Sequence, residues 1–379
     1  MATHRKTEKL FLLKDMLFNE SKVRRLATEI ASVYPAFDSK GFCKKVVSAF
    51  PEQELMERIA GIRDALYGFL PSDYRSAIKV IMSALPPALD NTKTDDDFGD
   101  FIYAPYSYYV AKYGCDKKYL SVSLKALEEI TKRFSCEAAL RDFINQFPKE
   151  TLVATKRWAK SSEYHVRRLA SEGTRPNLPW AKKIQYDALS ALPILDILHT
   201  DKTRYVTRSV ANHLNDISKF DADLVVRTLK LWQKEKKQTE AELTFITKHA
   251  LRTLIKNGNS DAQSLLGFEQ PEVKVKITLD KKQLAVGETQ GFTVMITNES
   301  EVAQSLLVHY LIHFKKANGT QSPKVFLFGK KIIAPKETIT LTKSHALRPM
   351  TTRVLHSGEH RLEIKINGTS FGGHTFILY

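Results

Sequence analysis

Between Trp158 and Trp180 the chain reads WAKSSEYHVRRLASEGTRPNLPW, which gathers Arg168, Glu172, Arg175 and Trp180 within a short span. Four residues apart, Arg168 and Glu172 share one face of a helix; Gly173 ends that helix, and Pro176 and Pro179 aim Trp180 along a rigid turn. A carboxylate and an electron-rich indole held in place suit the stabilisation of positive charge. Guanidinium groups suit phosphate, which they can grip with two parallel hydrogen bonds. The plain alternative is an Arg–Glu pair on a solvated helix, worth about 0.3 to 0.5 kcal/mol, with the tryptophan in the core.

The elements that position these residues recur. HVRRLASEG (165–173) aligns with YVTRSVANH (205–213) and FITKHALRT (245–253), so Arg168, Arg208 and Lys248 fall at a period of 40, as do Glu172, Asn212 and Arg252. A period near 40 with helical apolar spacing marks two-helix repeats of the HEAT or armadillo kind. Equivalent positions of stacked repeats form a stripe along one wall, here Arg, Arg, Lys beside Glu, Asn, Arg, on the expected concave surface. Upstream, residues 1 to about 88 read as packing helices, including 21–34 and 51–70. DNTKTDDDFGD (90–100) is an acidic loop, and the tyrosines of APYSYYVAKYGCD (104–116) read as core at helical spacing.

At residues 269–280 the pattern changes from a helical period to alternation. Runs such as VKVKITL, GFTVMITN, LLVHYLIHF, KVFLFGKKI, TITLTKS and HRLEIKING are separated by turn residues at sandwich-like intervals. The expected fold is therefore mainly α: a HEAT-like α-solenoid over 1–268, then an immunoglobulin-like β-sandwich over 271–379. The β segment holds 15 Lys and Arg against 8 Asp and Glu. It is either a solubilising sandwich or a clamp that holds phosphates from a second side.

The whole chain of 379 residues has 58 Lys and Arg against 42 Asp and Glu, a net charge of +16, which favours a polyanionic partner, with nucleic acid ahead of a membrane surface. No stretch reaches the roughly 18 apolar residues a bilayer span needs, and MATHRKTEKLFLLKDMLF lacks secretory character, so a cytoplasmic location is expected. Cys43, Cys115 and Cys136 are odd in number and never form a CxxC pair, which argues against a disulfide framework and a zinc site. Neither His309 and His313 nor His356 and His360 are joined by a Cys or carboxylate cluster, so no metal is expected.

VRRLASEGTRPNLPWA, TRYVTRSVANHLNDISK (203–219) and SLKALEEITKRFSCEAALRDF (123–143) together resemble the AlkC family of HEAT-like-repeat DNA glycosylases. The resemblance covers most of residues 100–230; the first 90 match loosely. The β segment is similar, by position and pattern, to the immunoglobulin-like domain on one branch of that family. Where the family more often has an aromatic after the glutamate of the third string, this chain has Ala138.

The resemblance implies a monofunctional enzyme that excises cationic methylated bases, such as 3-methyladenine and 3-methylcytosine, from duplex DNA without deep base flipping. It implies no cofactor, alkylated double-stranded DNA as partner, and a monomer. Carried over by motif, Glu137 and Glu172 supply carboxylates, Trp180 lies against the deoxyribose, and Asp216 is a third acid. Arg168, Arg175 and Arg208 would bind flanking phosphates, with Lys248 continuing the basic stripe; Asn212 either donates to a phosphate or braces its own repeat. The competing readings are a non-catalytic HEAT-repeat scaffold for an acidic protein, and a binder of undamaged nucleic acid. Acids clustered amid arginines favour the enzyme, since a scaffold has no need of them.

Overall fold

The computed structural model describes residues 12–93, 95, 98–349 and 354–379. The amino-terminal segment 1–11 and residues 94, 96 and 97 of the acidic loop lie outside them. By packing, the chain forms two compact units, one of Met1–Ile217 with Lys236–Ile246, the other of Ser218–Glu235 with Thr247–Tyr379.

The first unit is helical. The run expected over 21–34 forms the helix Glu20–Val33, capped by the Asn19 side chain, which accepts from the Lys22 amide. Its partner over 51–70 divides: Pro51 sits in a short 3-10 turn, Phe50–Glu52, and a capping box of Glu54 and Glu57 then opens the helix Leu55–Phe69. The tyrosine-rich run becomes the helix Ala104–Gly114, whose Tyr106 and Tyr109 are buried as core. Helices Leu120–Ile130, Glu137–Gln146, Pro148–Trp158, Tyr164–Glu172 and Arg204–Ile217 follow, and the last two pack against each other along their lengths. The 40-residue repeat maps onto Tyr164–Glu172, Arg204–Ile217 and Glu240–Ala250. Its third copy departs from the first two, because Arg252 opens a separate helix, Arg252–Lys256.

Gly173 ends its helix as expected, but not in the left-handed conformation that usually favours glycine there: its φ is −69°. Space decides instead. A Cβ on Gly173 would meet Leu140 Cδ2 at 2.5 Å and the Leu169 carbonyl at 2.9 Å, so the glycine permits close approach to the helix Glu137–Gln146.

The second unit carries strands β1 (Val273–Leu279), β2 (Gln283–Leu284), β3 (Thr289–Asn298), β4 (Gln304–Lys315), β5 (Gln321–Ile333), β6 (Thr338–Ala346), β7 (Gly358–Ile366) and β8 (Thr369–Leu378). One sheet has the order β1-β3-β6, the other β2-β8-β7-β4-β5. Alternate residues, among them Phe292, Val294, Ile296, Val308, Tyr310, Ile312, Leu362 and Ile364, meet in a common core. The run HRLEIKING does not continue as one strand. Asn367 and Gly368 both take positive φ, 48° and 81°, and turn the chain into β8, which the paired glycines 372 and 373 conceal from a search for alternation.

Candidate active site

The Tyr164–Glu172 helix, the turn after it, the Arg204–Ile217 helix and the start of the Glu137–Gln146 helix bring five of the expected site residues together. Glu172 closes its helix and is 5% exposed. Its Oε1 lies 2.5 Å from Arg175 Nη1 and 3.7 Å from Arg168 Nη2, and its Oε2 accepts from Ser209 Oγ at 2.6 Å. Arg175 in turn donates through Nε to Asp216 Oδ2 at 3.0 Å, and the Asn177 amide reaches the same oxygen at 3.4 Å. Glu137 stands in the first turn of its own helix, where the helix dipole favours an anion. Arg168 Nη1 lies 3.4 Å from Glu137 Oε2 and also donates to Ser135 Oγ, which donates to the same carboxylate.

Burial sets the electrostatics. Taken alone it would raise the carboxyl pKa of Glu172, yet Arg168, Arg175 and the Ser209 hydroxyl outweigh it and hold the group below its ordinary value. Burial likewise opposes the charge on Arg168, and Glu137 and Glu172 reverse that, leaving its pKa raised. The Arg168 guanidinium is also enclosed by aromatic faces, 4.4 Å from the Tyr205 ring centroid and 5.4 Å from that of Phe98. Arg141 is fully buried near Arg175, Glu172 and Asp216, and none of its three guanidinium nitrogens has a hydrogen-bond partner among the described residues. Burial pushes its pKa down to about 10, with Tyr186 and the nearby carboxylates Glu172 and Asp216 working against the shift and Arg175 with it. Three guanidinium groups thus face three carboxylates in a locally balanced cluster.

That balance corrects two expectations. Arg168 and Arg175 do not sit on a solvated face: both are buried and engaged with carboxylates, so they act as internal counter-ions and are not presented to phosphates. Nor does the cluster expose all its acids. Asp216 and Glu172 are shut in by Arg175, whereas the Glu137 side chain keeps 19% of its surface accessible.

Trp180 stands apart from the ion pairs, on a turn closed by the Ala181 amide donating to the Leu178 carbonyl at 3.3 Å. It is 96% exposed, not in the core, and its φ is +60°, a conformation that a bulky residue rarely adopts. The indole lines a groove that also contains Ala138, the residue after Glu137, with Tyr108, Met56 and Arg63. Burial and then the carboxylates of Glu137 and Asp142 raise the Tyr108 phenol above its ordinary pKa.

Of the remaining residues, Arg208 lies on the same helix as Ser209 and Asp216, half-buried, and pairs with Asp95 of the acidic loop. Asn212 is half-buried one turn further on, and Lys248 is exposed in the last turn of Glu240–Ala250. Among the described residues, no group of three or more His, Cys, Asp or Glu could hold a metal ion, and no helix is long and apolar enough to cross a membrane.

Sequence reasoning missed Ser135, Arg141, Ser209, Tyr205 and Phe98. Arg141 was within reach, four residues after Glu137 and so on the same helix face. Ser209 follows Arg208 in the repeat, but its bond to Glu172 crosses between helices and leaves no mark in local spacing.

Residues 109–254 match the family described as DNA alkylation repair enzyme, and residues 274–379 match the C-terminal Ig-like domain of the uncharacterised protein YhaZ. YhaZ of Bacillus subtilis (strain 168) is 32% identical over 358 residues, spanning 93% of this chain and 95% of that protein. The solved structure of the Pseudomonas fluorescens alkylpurine DNA glycosylase AlkC, bound to DNA containing an abasic site analogue, superimposes with a TM-score of 0.78 at 32% identity, covering 98% of this chain and 99% of that one.

Proposed function

The chain belongs to the AlkC family of DNA alkylation repair enzymes, and from that premise we propose that it is a monofunctional DNA glycosylase for cationic methylated bases such as 3-methyladenine and 3-methylcytosine in duplex DNA. The observation that carries this reading is an accessible carboxylate, Glu137, held by Arg168 and Ser135, whose neighbour Ala138 lines a groove together with an exposed indole, Trp180. Methylation at a ring nitrogen leaves the base positively charged. When the C1′–N bond breaks, the bonding pair returns to the base, which departs neutral and needs no strong general acid.

The work left to the protein is to stabilise the electron-poor sugar and deliver water. The Glu137 carboxylate lies against the developing cation and takes the proton of the water whose oxygen bonds to C1′; solvent then receives that proton. Trp180 presents an electron-rich face to the same sugar. Glu172 and Asp216 fix Arg175 and Arg168, and through Arg168 they fix Glu137; their burial suits positioning better than contact with substrate. Arg208 exchanges the Asp95 carboxylate for a backbone phosphate, and Lys248 and Asn212 are further candidates for backbone contacts that set register without reading sequence. The lesion stays at the protein surface and is not swung into a deep pocket.

The scaffold reading draws support from the same burial of Glu172 and Asp216, since closed ion pairs also serve a protein without chemistry. Incubation with a methylated duplex separates the two. Free methylated base should accumulate while the strand stays intact until alkali cleaves it at the abasic site. Tight DNA binding with no base released would remove the enzyme.

A further inference from the structure

The groove beside Trp180 is built for more than the indole alone. Its volume is about 300 Å³, at the lower end of small-molecule sites, which run from about 300 to 1,000 Å³. The walls come from three helices and a turn: Met56 from Leu55–Phe69, Tyr108 and Ala111 from Ala104–Gly114, Ala138 from Glu137–Gln146, and Trp180. Met56 is itself exposed, so a thioether and an indole meet solvent across the same gap.

Two independent features of Trp180 call for an occupant. The other tryptophans of the chain, Trp158 and Trp232, are buried in the ordinary way, whereas this one is almost wholly exposed. It is also held at a φ that a glycine or asparagine would adopt more readily. Backbone strain and exposed aromatic surface at one residue fit a site completed by a flat ligand.

The rim says which ligand. Arg63, Lys112 and Lys182 border the groove. Arg63 and Lys112 both pair with Asp64, and Lys182 pairs with Asp142; each pair has a partner open to solvent, where ion pairs are weak and readily exchanged for phosphate. Three cations against the two carboxylates of Asp64 and Asp142 leave the rim net positive, which disfavours a positively charged base and favours a neutral base that brings its own phosphates. Asp142 supplies an acceptor for an exocyclic amino group.

We infer that this groove is a second nucleotide subsite, which holds the neutral base next to the lesion on the damaged strand, stacked against Trp180 and Met56 with its phosphate on Arg63 and Lys112. The inference rests on the reading that DNA is engaged at Glu137. It assigns a role to the Leu55–Phe69 helix, which lies outside residues 109–254, the stretch that matches the DNA alkylation repair enzyme family. The indole would then separate the lesion's sugar from the neighbouring base.

The test uses the full chain and duplexes carrying an abasic-site analogue, with 2-aminopurine placed on its 5′ or its 3′ side. With wild type, one of the two positions should change its emission on binding, and Trp180, the tryptophan at the surface, should be quenched. Met56→Asp, at an exposed position, should abolish the 2-aminopurine response and raise Kd about 10-fold, within the range of a lost stacking contact. Arg63→Ala should lower the salt dependence of binding by about one phosphate. Unchanged 2-aminopurine emission at both positions with wild type, or a Met56→Asp protein with wild-type Kd and signal, overturns the subsite. Because these duplexes report binding without chemistry, a wild type that releases no methylated base would fail the glycosylase reading alone.

Discussion

Replacing Glu172 and Glu137 separately by glutamine distinguishes a carboxylate that holds the site together from one that meets substrate. Glu172 is 5% exposed and is shared by Arg175 at 2.5 Å and Arg168 at 3.7 Å. Glutamine keeps the shape and can still accept from Ser209, but it leaves two buried guanidinium groups under-compensated with Arg141 close by. Breaking a buried pair in this way costs about 3 to 5 kcal/mol. For a unit of this size that corresponds to a fall of roughly 10 °C or more in the thermal midpoint. Glu137 is more open, and its contact with Arg168 is 3.4 Å, so Glu137→Gln should cost about 1 kcal/mol. Thermal unfolding followed by circular dichroism at neutral pH reads both variants. A Glu172→Gln protein melting with wild type, or a Glu137→Gln protein falling as far as Glu172→Gln, refutes the division of labour.

Three further outcomes follow from single residues. Gly173→Ala places a methyl 2.5 Å from Leu140 Cδ2 and should destabilise by about 1 to 3 kcal/mol, read from the urea midpoint; an unchanged midpoint would mean the two helices part freely. Trp180→Ala should leave stability within about 0.5 kcal/mol, because the indole is exposed, yet slow base release at least about 10-fold; release at the wild-type rate would disconnect the indole from the chemistry. His213 is fully buried, its Nδ1–H donating to the Ser171 carbonyl at 3.1 Å, and burial, with Arg175 nearby, pushes its pKa down to about 3. The folded protein refuses a proton that the unfolded chain accepts, so stability is complete above about pH 6.5 and declines as pH falls, by up to about 1.4 kcal/mol per unit. Urea titrations from pH 7 to 5, above the range where Glu172 takes up its proton, should show a shallower decline in His213→Gln than in wild type. Parallel declines would contradict the assignment.

Architecture was legible where a pattern is local. The 40-residue period located the helices that carry Arg168 and Arg208, and alternation located β1 over its full length, Val273–Leu279. It failed where side chains act across elements. VRRLASE suggests a surface pair, and only the packing of Tyr164–Glu172 against Arg204–Ile217 turns Arg168 and Glu172 into a buried network with Ser209 and Asp216. The exposure of Trp180 was equally hidden, since Pro179 announces a turn but not that an indole will occupy a left-handed position within it. Ala138, noted as a missing aromatic, now reads as part of a groove wall whose aromatic surface comes from Tyr108 and Trp180.

The central claim is that the accessible carboxylate of Glu137 steadies the sugar and activates water while the rest of the cluster holds it in place. Single-turnover release of methylated base by Glu137→Gln, measured beside its affinity for the same duplex, tests that claim most directly. Release should slow by about 100-fold or more, as for loss of a preorganised charge-stabilising group, with Kd little changed. A Glu137→Gln protein that binds the duplex and releases base at the wild-type rate would contradict it.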